Sequence, residues 1–328
     1  MRVLLTGASG FIGTALAGYL RERGEPVRAL VRGSSATRAL EALGVELVRG
    51  ELSDPPSLDR AVGGCEVVFH LAGAVKVLHP REFFPVNADG TRRVAEACAR
   101  AVRPPRLVYV SSLAAAGPSA PGRPRREEDP EGPVSLYGQS KLAGERAVRA
   151  LAERFSASIV RPPIVYGPGD REFLPLLARM ARRGLFLQAG LGAKHYSTLH
   201  IRDLCAGLWA VAERGRPLER TGSGGVYFLD DGAPHLWTEI ARSAAAALGR
   251  RARVVRLPAF LGLVAAAGAA LGSALTGRPA ILSFDKLKEV REAAWTCSSE
   301  RARREVGYLP RFPLSEGLAD ALGAAPFG

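Results

Sequence analysis

The chain has 328 residues, 47% of them hydrophobic, and a formal net charge of +13. This length and composition suit one large globular domain or a large and a small one, and they exclude a long disordered chain; no repeat of fixed period appears. The charge invites a nucleic-acid reading, but only Lys76, Lys141, Lys194, Lys286 and Lys288 stand among the 45 basic residues, and no basic stretch is interleaved with aromatics. The excess therefore reads as arginine-rich composition, leaving a general attraction for anionic cofactors or lipid headgroups and no nucleic-acid partner.

The apolar run Val3-Leu4-Leu5 predicts a buried strand, and the spacing of Phe11 to Leu20 predicts a helix. Between them lies Thr6-Gly7-Ala8-Ser9-Gly10-Phe11-Ile12-Gly13, a glycine turn leading from strand to helix. Gly7 can turn the chain sharply, Gly10 removes a side chain where a pyrophosphate approaches the backbone, and Gly13 lets the helix lie close on the sheet. Ser9, Phe11 and Ile12 complete the expected phosphate contacts, at a helix start whose free N–H groups favour an anion. Because the opening Met-Arg and apolar run fit this turn better than a leader peptide, a cytoplasmic protein is expected.

Further strands are predicted at Val27 to Val31, Val45 to Val48, Glu66 to His70, Leu107 to Val110 and Ser158 to Val160, each separated by helical spacing. That alternation predicts an α/β fold with a doubly wound parallel sheet and ligands at the carboxyl ends of its strands. Arg32, Asp54, Ala72, Ser111 and Ser112 all fall at such ends. Beyond Arg161-Pro162-Pro163 the alternation weakens. Residues 1–163 are expected to form the nucleotide-binding domain, with 200–215 returning to it, while 164–199 and 216–328 form a smaller substrate-binding lobe. The Pro-, Gly- and Arg-rich stretch from Ala116 to Pro133 reads as a surface loop that orders with ligand. The cysteines Cys65, Cys98, Cys205 and Cys297 lie too far apart for a zinc motif and read as buried thiols, and no histidine pair has ligand spacing, so no metal is expected.

Tyr137 and Lys141 are four residues apart and share one face if helical. A free phenol titrates near 10 and is a poor base at neutrality; a neighbouring ammonium is expected to lower that value. Tyr137 can then exchange a proton with a carbinol oxygen that Ser112 also hydrogen-bonds.

These motifs resemble the extended short-chain dehydrogenase/reductase family, the epimerase, dehydratase and ketoreductase group. The glycine signature is matched by Gly7, Gly10 and Gly13, the serine by Ser112 in Val-Ser-Ser-Leu-Ala-Ala-Ala-Gly, and the Tyr-x-x-x-Lys pair by Tyr137 and Lys141. The resemblance implies a Rossmann-type sheet and Ser112, Tyr137 and Lys141 as catalytic residues, with Tyr137 and Lys141 also cofactor contacts and Lys141 on the nicotinamide ribose. It further implies cofactor contacts from Leu52 and Asp54 near the adenine, from Leu71, Ala72 and Gly73, from Asn87 and Ser111, and from Pro162 and Ile164. Alanines at 115 and 116 replace the valine-tyrosine found in many sugar-nucleotide members and favour a bulkier or more apolar substrate.

After the second strand stands Arg32 with no acid nearby, which favours NADP over NAD, since an arginine suits a 2′-phosphate. From Leu257 to Gly277 no residue is charged, a length that can span a bilayer, although its many small residues favour a helix over the substrate pocket. Possible peripheral membrane contact through 257–277 stays open. The expected activity is hydride transfer between NAD(P) and a carbonyl or secondary alcohol of a sterol-, polyketide- or long-chain-like molecule, in the manner of 3β-hydroxysteroid dehydrogenases and dihydroflavonol reductases. The alternatives are a sugar-nucleotide epimerase or dehydratase with tightly bound NAD, its diphosphate held by Arg171, Arg182 and Arg202, and a non-catalytic nucleotide-binding scaffold. Candidate substrate contacts are Lys76, His79, Tyr166, His195 and Tyr196. The resemblance also implies a homodimer through helices at 91–101 and 137–155.

Overall fold

Residues 1–258 and 284–323 are described by a computed structural model. The apolar runs become strands β1 (Val3–Thr6), β2 (Val27–Val31), β3 (Glu46–Arg49), β4 (Val67–His70), β5 (Arg106–Val110) and β6 (Ala157–Arg161). They form one parallel sheet in the order β6-β5-β4-β1-β2-β3, with Val3 opposite both Val27 and Val67. Helices on both faces explain why every residue of β1 is buried. Val3 and Leu5 face one core with Leu16 and Leu20 of α1 (Phe11–Glu22) and Leu204 and Leu208 of the helix Ile201–Arg214. Leu4 faces the other core, with Leu58, Val94 and Val148. These side chains come from α3 (Pro55–Val62), α4 (Thr91–Arg100) and α6 (Leu136–Arg149); the short α2 (Arg38–Ala42) and α5 (Leu113–Ala116) complete the set.

The sheet holds one strand more than the apolar runs predict. Val226–Phe228 pairs with β6, so the segment after residue 216 does not belong wholly to the lobe. Its three apolar residues are buried, but the glycine-rich approach Thr221 to Gly225 hides the period. The lobe has its own core, where Leu174, Leu177, Ile240, Ala244 and Leu318 meet from the helices Phe173–Arg183, Trp237–Ala247 and Leu314–Gly323.

The 116–133 loop departs from expectation. It is tied down by backbone bonds from Ser119 to Ala294 and from Arg125 to Thr296, and by the buried Glu127 carboxylate, which accepts from the Phe228 amide at 2.9 Å. Backbone pairing with a remote segment satisfies polar groups that a local reading leaves to solvent. The four cysteines are buried and unpaired. Among the described residues no helix is long and apolar enough to cross a membrane; the 257–277 run lies outside them beyond Pro258.

Candidate active site

The carboxyl ends of β2, β1, β4, β5 and β6 lie side by side, so the glycine turn, Arg32, the 71–73 loop, the serine pair and Pro162 share one edge of the sheet. Gly7 has φ +70°, and a Cβ there would stand 2.6 Å from the Ala72 nitrogen. Gly13 is pressed against Ala8, whereas a Cβ on Gly10 would find only the Gly7 carbonyl at 3.3 Å. Gly10 starts α1 with no side-chain cap and no acid in the first turn. The N–H groups of the first turn, around Phe11, Ile12 and Gly13, thus have neither a side-chain cap nor a carboxylate competing for them, which suits phosphate.

A buried chain of hydrogen bonds fixes the wall beside this turn. Thr91 Oγ1 donates to the Asn87 carbonyl (2.7 Å), so it accepts from His70 Nε2 (3.0 Å); His70 Nδ1 is then left to accept from Thr6 Oγ1 (2.6 Å). Burial, reinforced by the Lys141 charge, pushes His70 down to about 3, which keeps the ring neutral. Asn87 accepts from Ala74 N (2.8 Å) and donates to Ala74 O and to Ser140 Oγ, joining the loop after Gly73 to helix α6. Leu52 is half-buried against Gly90, and Asp54 is exposed where α3 begins, its side chain capping nothing.

Ser112 starts α5 and accepts from Ala114 N at 3.1 Å. Ser111 is 4% exposed, and its hydroxyl has no partner within the protein. Such an orphaned buried hydroxyl is expected where a ligand completes the site. Lys141 is buried, donates to the Val110 carbonyl (2.8 Å) and lies over the Tyr109 ring (4.9 Å). A Cβ on Gly73 would be 3.4 Å from its ammonium, so the glycine keeps a side chain off that charge. Burial brings Lys141 down to about 8, opposed by the Glu145 carboxylate.

Tyr137 corrects the electrostatic expectation. Burial pushes its phenol up to about 12; the Ser112 hydroxyl pulls against this and the Glu289 carboxylate adds to it. With Lys141 turned to the Val110 carbonyl, desolvation governs the phenol, which holds its proton at neutral pH. Phe83 packs edge-on against the ring with centroids 5.5 Å apart.

Two carboxylates that motif reading missed hold the start of α6. Ser135 caps the helix, its Oγ accepting from Gly138 N and donating to Glu289 at 2.6 Å. Asp285 accepts from the amides of Leu136 (2.8 Å) and Tyr137 (3.2 Å). Both acids lie on the helix Phe284–Arg291, whose far end is clamped by Lys194, donating to the carbonyls of Val290, Arg291 and Glu292, and by Trp295 on Glu289 O. Their separation in sequence from Tyr137 left no signal. At the other end of the groove, Arg49 donates to the Arg32 carbonyl (2.9 Å), a second guanidinium beside an exposed Arg32.

Other candidates lie elsewhere. Tyr166 is fully buried in the lobe core against His200 and is no substrate contact. Lys76 pairs with Glu172, His79 is exposed, and His195 and Tyr196 are half-buried in a short strand between His235–Leu236 and Ala294–Trp295. Arg202 is engaged with Asp320 and the Phe312 ring, and Arg171 and Arg182 are exposed on other elements.

Residues 3–223 match the description "NAD dependent epimerase/dehydratase family". A ceramide reductase of Caulobacter vibrioides is 38% identical over 96% of this chain and 92% of its own. A 4-hydroxy-2-methyl-3-oxo-4-farnesyl-3,4-dihydroquinoline-1-oxide ketoreductase of Stigmatella aurantiaca is 33% identical over 100% of this chain and 98% of its own. Among solved structures, MoeE5 in complex with UDP-glucuronic acid and NAD superposes with a TM-score of 0.73 at 26% identity, covering 98% of each chain.

Proposed function

Because the chain belongs to the NAD-dependent epimerase/dehydratase family, as an oxidoreductase of the extended short-chain dehydrogenase/reductase type, we propose that it reduces a ketone on a hydrophobic, sterol-, polyketide- or long-chain-like molecule, using NADPH in preference to NADH. The observation that carries this reading is the grouping of a protonated Tyr137 phenol with Ser112 beside the buried Lys141 ammonium. When bound, the nicotinamide supplies hydride. Ser112 and Tyr137 then hold the carbonyl oxygen, and Tyr137 Oη gives it the proton as negative charge develops. A phenol titrating near 12 is suited to donating in the reductive direction. Lys141, drawn down to about 8 and hydrogen-bonded to Val110 O, can also bond a ribose hydroxyl.

The surroundings favour an apolar ketone. Phe83 flanks the phenol, Ala114, Ala115 and Ala116 are buried beside Ser112, and Val75 and Leu78 stand 61% and 45% exposed on the loop after Gly73. Both relatives are named as reductases of lipid-like or farnesylated molecules. A two-fold pairing through α4 and α6 is part of the proposal, tested by sizing at several concentrations.

The test is a screen of long-chain and cyclic ketones with NADPH and NADH, with products identified, followed by Tyr137→Phe. Stoichiometric cofactor oxidation that falls about 10²–10⁴-fold in the variant supports the assignment. Isomerisation of a nucleotide sugar without net cofactor change, or full activity in Tyr137→Phe, overturns it.

A further inference from the structure

Two stretches of the lobe carry basic residues with no acid to balance them. Residues 173–202 and 240–284 contain no Asp or Glu. From these two acid-free stretches the lobe builds a parallel ribbon, Leu185–Ala189 beside Arg253–Leu257, with Leu185 opposite Arg253 and Leu187 opposite Val255. Strand side chains alternate, so the ribbon has two faces. Phe186 is fully buried and Gln188 nearly so, toward the lobe core, while Leu185 and Leu187 stand 42% and 51% exposed and Leu191, just beyond, 65%. Arg253 shares the leucine face, opposite Leu185, and Arg183, Arg250 and Arg251 are exposed in the segments leading into the two strands; among the described residues none of these four pairs with a carboxylate.

Exposed leucines scattered singly need no explanation, but leucines clustered beside exposed guanidiniums make a surface that attracts apolar and anionic matter together. A nucleic-acid platform would offer aromatic rings for stacking, and the outward positions of this ribbon carry none. An anionic lipid surface satisfies both attractions, with phosphates for the arginines and the acyl boundary for the leucines. The chain continues from Leu257 into the uncharged run to Gly277 and next carries a carboxylate at Asp285, which holds the amides of Leu136 and Tyr137. A single stretch of chain therefore links the ribbon to the catalytic helix.

We propose that this face of the ribbon docks the protein on an anionic lipid bilayer. The inference rests on the proposed function for its purpose, placing the site where a lipophilic ketone resides, but its test needs no turnover. The purified full chain is sedimented with vesicles of phosphatidylcholine alone and of phosphatidylcholine containing one-third phosphatidylglycerol, at low and high salt. Binding to the anionic vesicles that weakens with salt is expected, with about a 5-fold loss of partition for each arginine neutralised, so that Arg251→Gln with Arg253→Gln loses more than tenfold. Leu185→Ser with Leu187→Ser removes the binding that high salt leaves. Thermal unfolding and NADPH binding check that each variant is folded. Failure to bind either vesicle, equal binding by the variants, or binding to RNA in place of vesicles overturns the proposal. Ketone reduction that persists in that event leaves the proposed function standing, whereas vesicle binding without any ketone reduction overturns the function alone.

Discussion

Glu289 accepts a hydrogen bond from Ser135 at 2.6 Å across 154 residues of sequence, bringing a lobe carboxylate to the start of the helix that carries Tyr137. The charges that face this point are Glu289, its partner Lys286 at 2.5 Å, Asp285 with Lys288 at 3.8 Å, and Lys141 one helical turn on. Glu289 holds the phenol pKa up. Glu289→Gln is therefore expected to lower it. Carbonyl reduction loses its donor as pH rises through the phenol pKa, so the alkaline limb of the kcat/KM profile moves to lower pH. A uniform fall in kcat with an unmoved limb would reduce Glu289 to a structural tie.

Arg49, at the end of β3, donates to the Arg32 carbonyl after β2, and the residues directly after β2 (Arg32 to Ser35) include no carboxylate to accept from a ribose. A charge-assisted bond to a 2′-phosphate is worth about 1.5–3 kcal/mol. Arg32→Ala is expected to weaken NADPH about 10- to 100-fold and NADH little, with Arg49→Ala acting in the same direction more weakly. Fluorescence titration of both cofactors with both variants measures this, and equal losses for NADH would remove the 2′-phosphate from the assignment.

Gly7→Ala probes the strand-to-helix turn. Its φ of +70° disfavours any side chain, and the new Cβ would meet backbone atoms of Leu71 and Ala72 that cannot swing away. The left-handed conformation alone costs about 1–2 kcal/mol, and the overlap adds to it. Thermal unfolding should show a lowered Tm together with weaker cofactor binding, because the same displacement moves the phosphate turn.

Gly7, Gly10, Gly13, Ser112, Tyr137 and Lys141 were legible because each depends on local chemistry: a turn, a close approach, one face of a helix. The first six strands were legible for a similar reason, as apolar runs between helical spacings. What escaped depends on distant partners. Val226–Phe228 is a strand only because β6 offers it an open edge, Glu127 orders its loop through the Phe228 amide, and Asp285 and Glu289 matter because the lobe returns them to α6. The phenol pKa was misjudged in sign for the same reason, since Tyr137–Lys141 spacing says nothing of burial or of where the ammonium turns.

His70 gives a stability prediction with a definite sign. Its ring is fully buried between Thr6 and Thr91, and its pKa falls from 6.5 in the unfolded chain to about 3 in the fold. Between those values the unfolded state binds the extra proton, so this contribution is present above pH 6.5 and is lost as pH falls toward 3, by at most about 1.4 kcal/mol per unit. Wild-type Tm should therefore drop from pH 7.5 to pH 5 more steeply than that of His70→Asn, which cannot take up the proton. The variant should also start lower at pH 7.5, because the Thr6–Thr91 link is broken. Parallel Tm curves for the two proteins would show that the acid sensitivity lies in other groups.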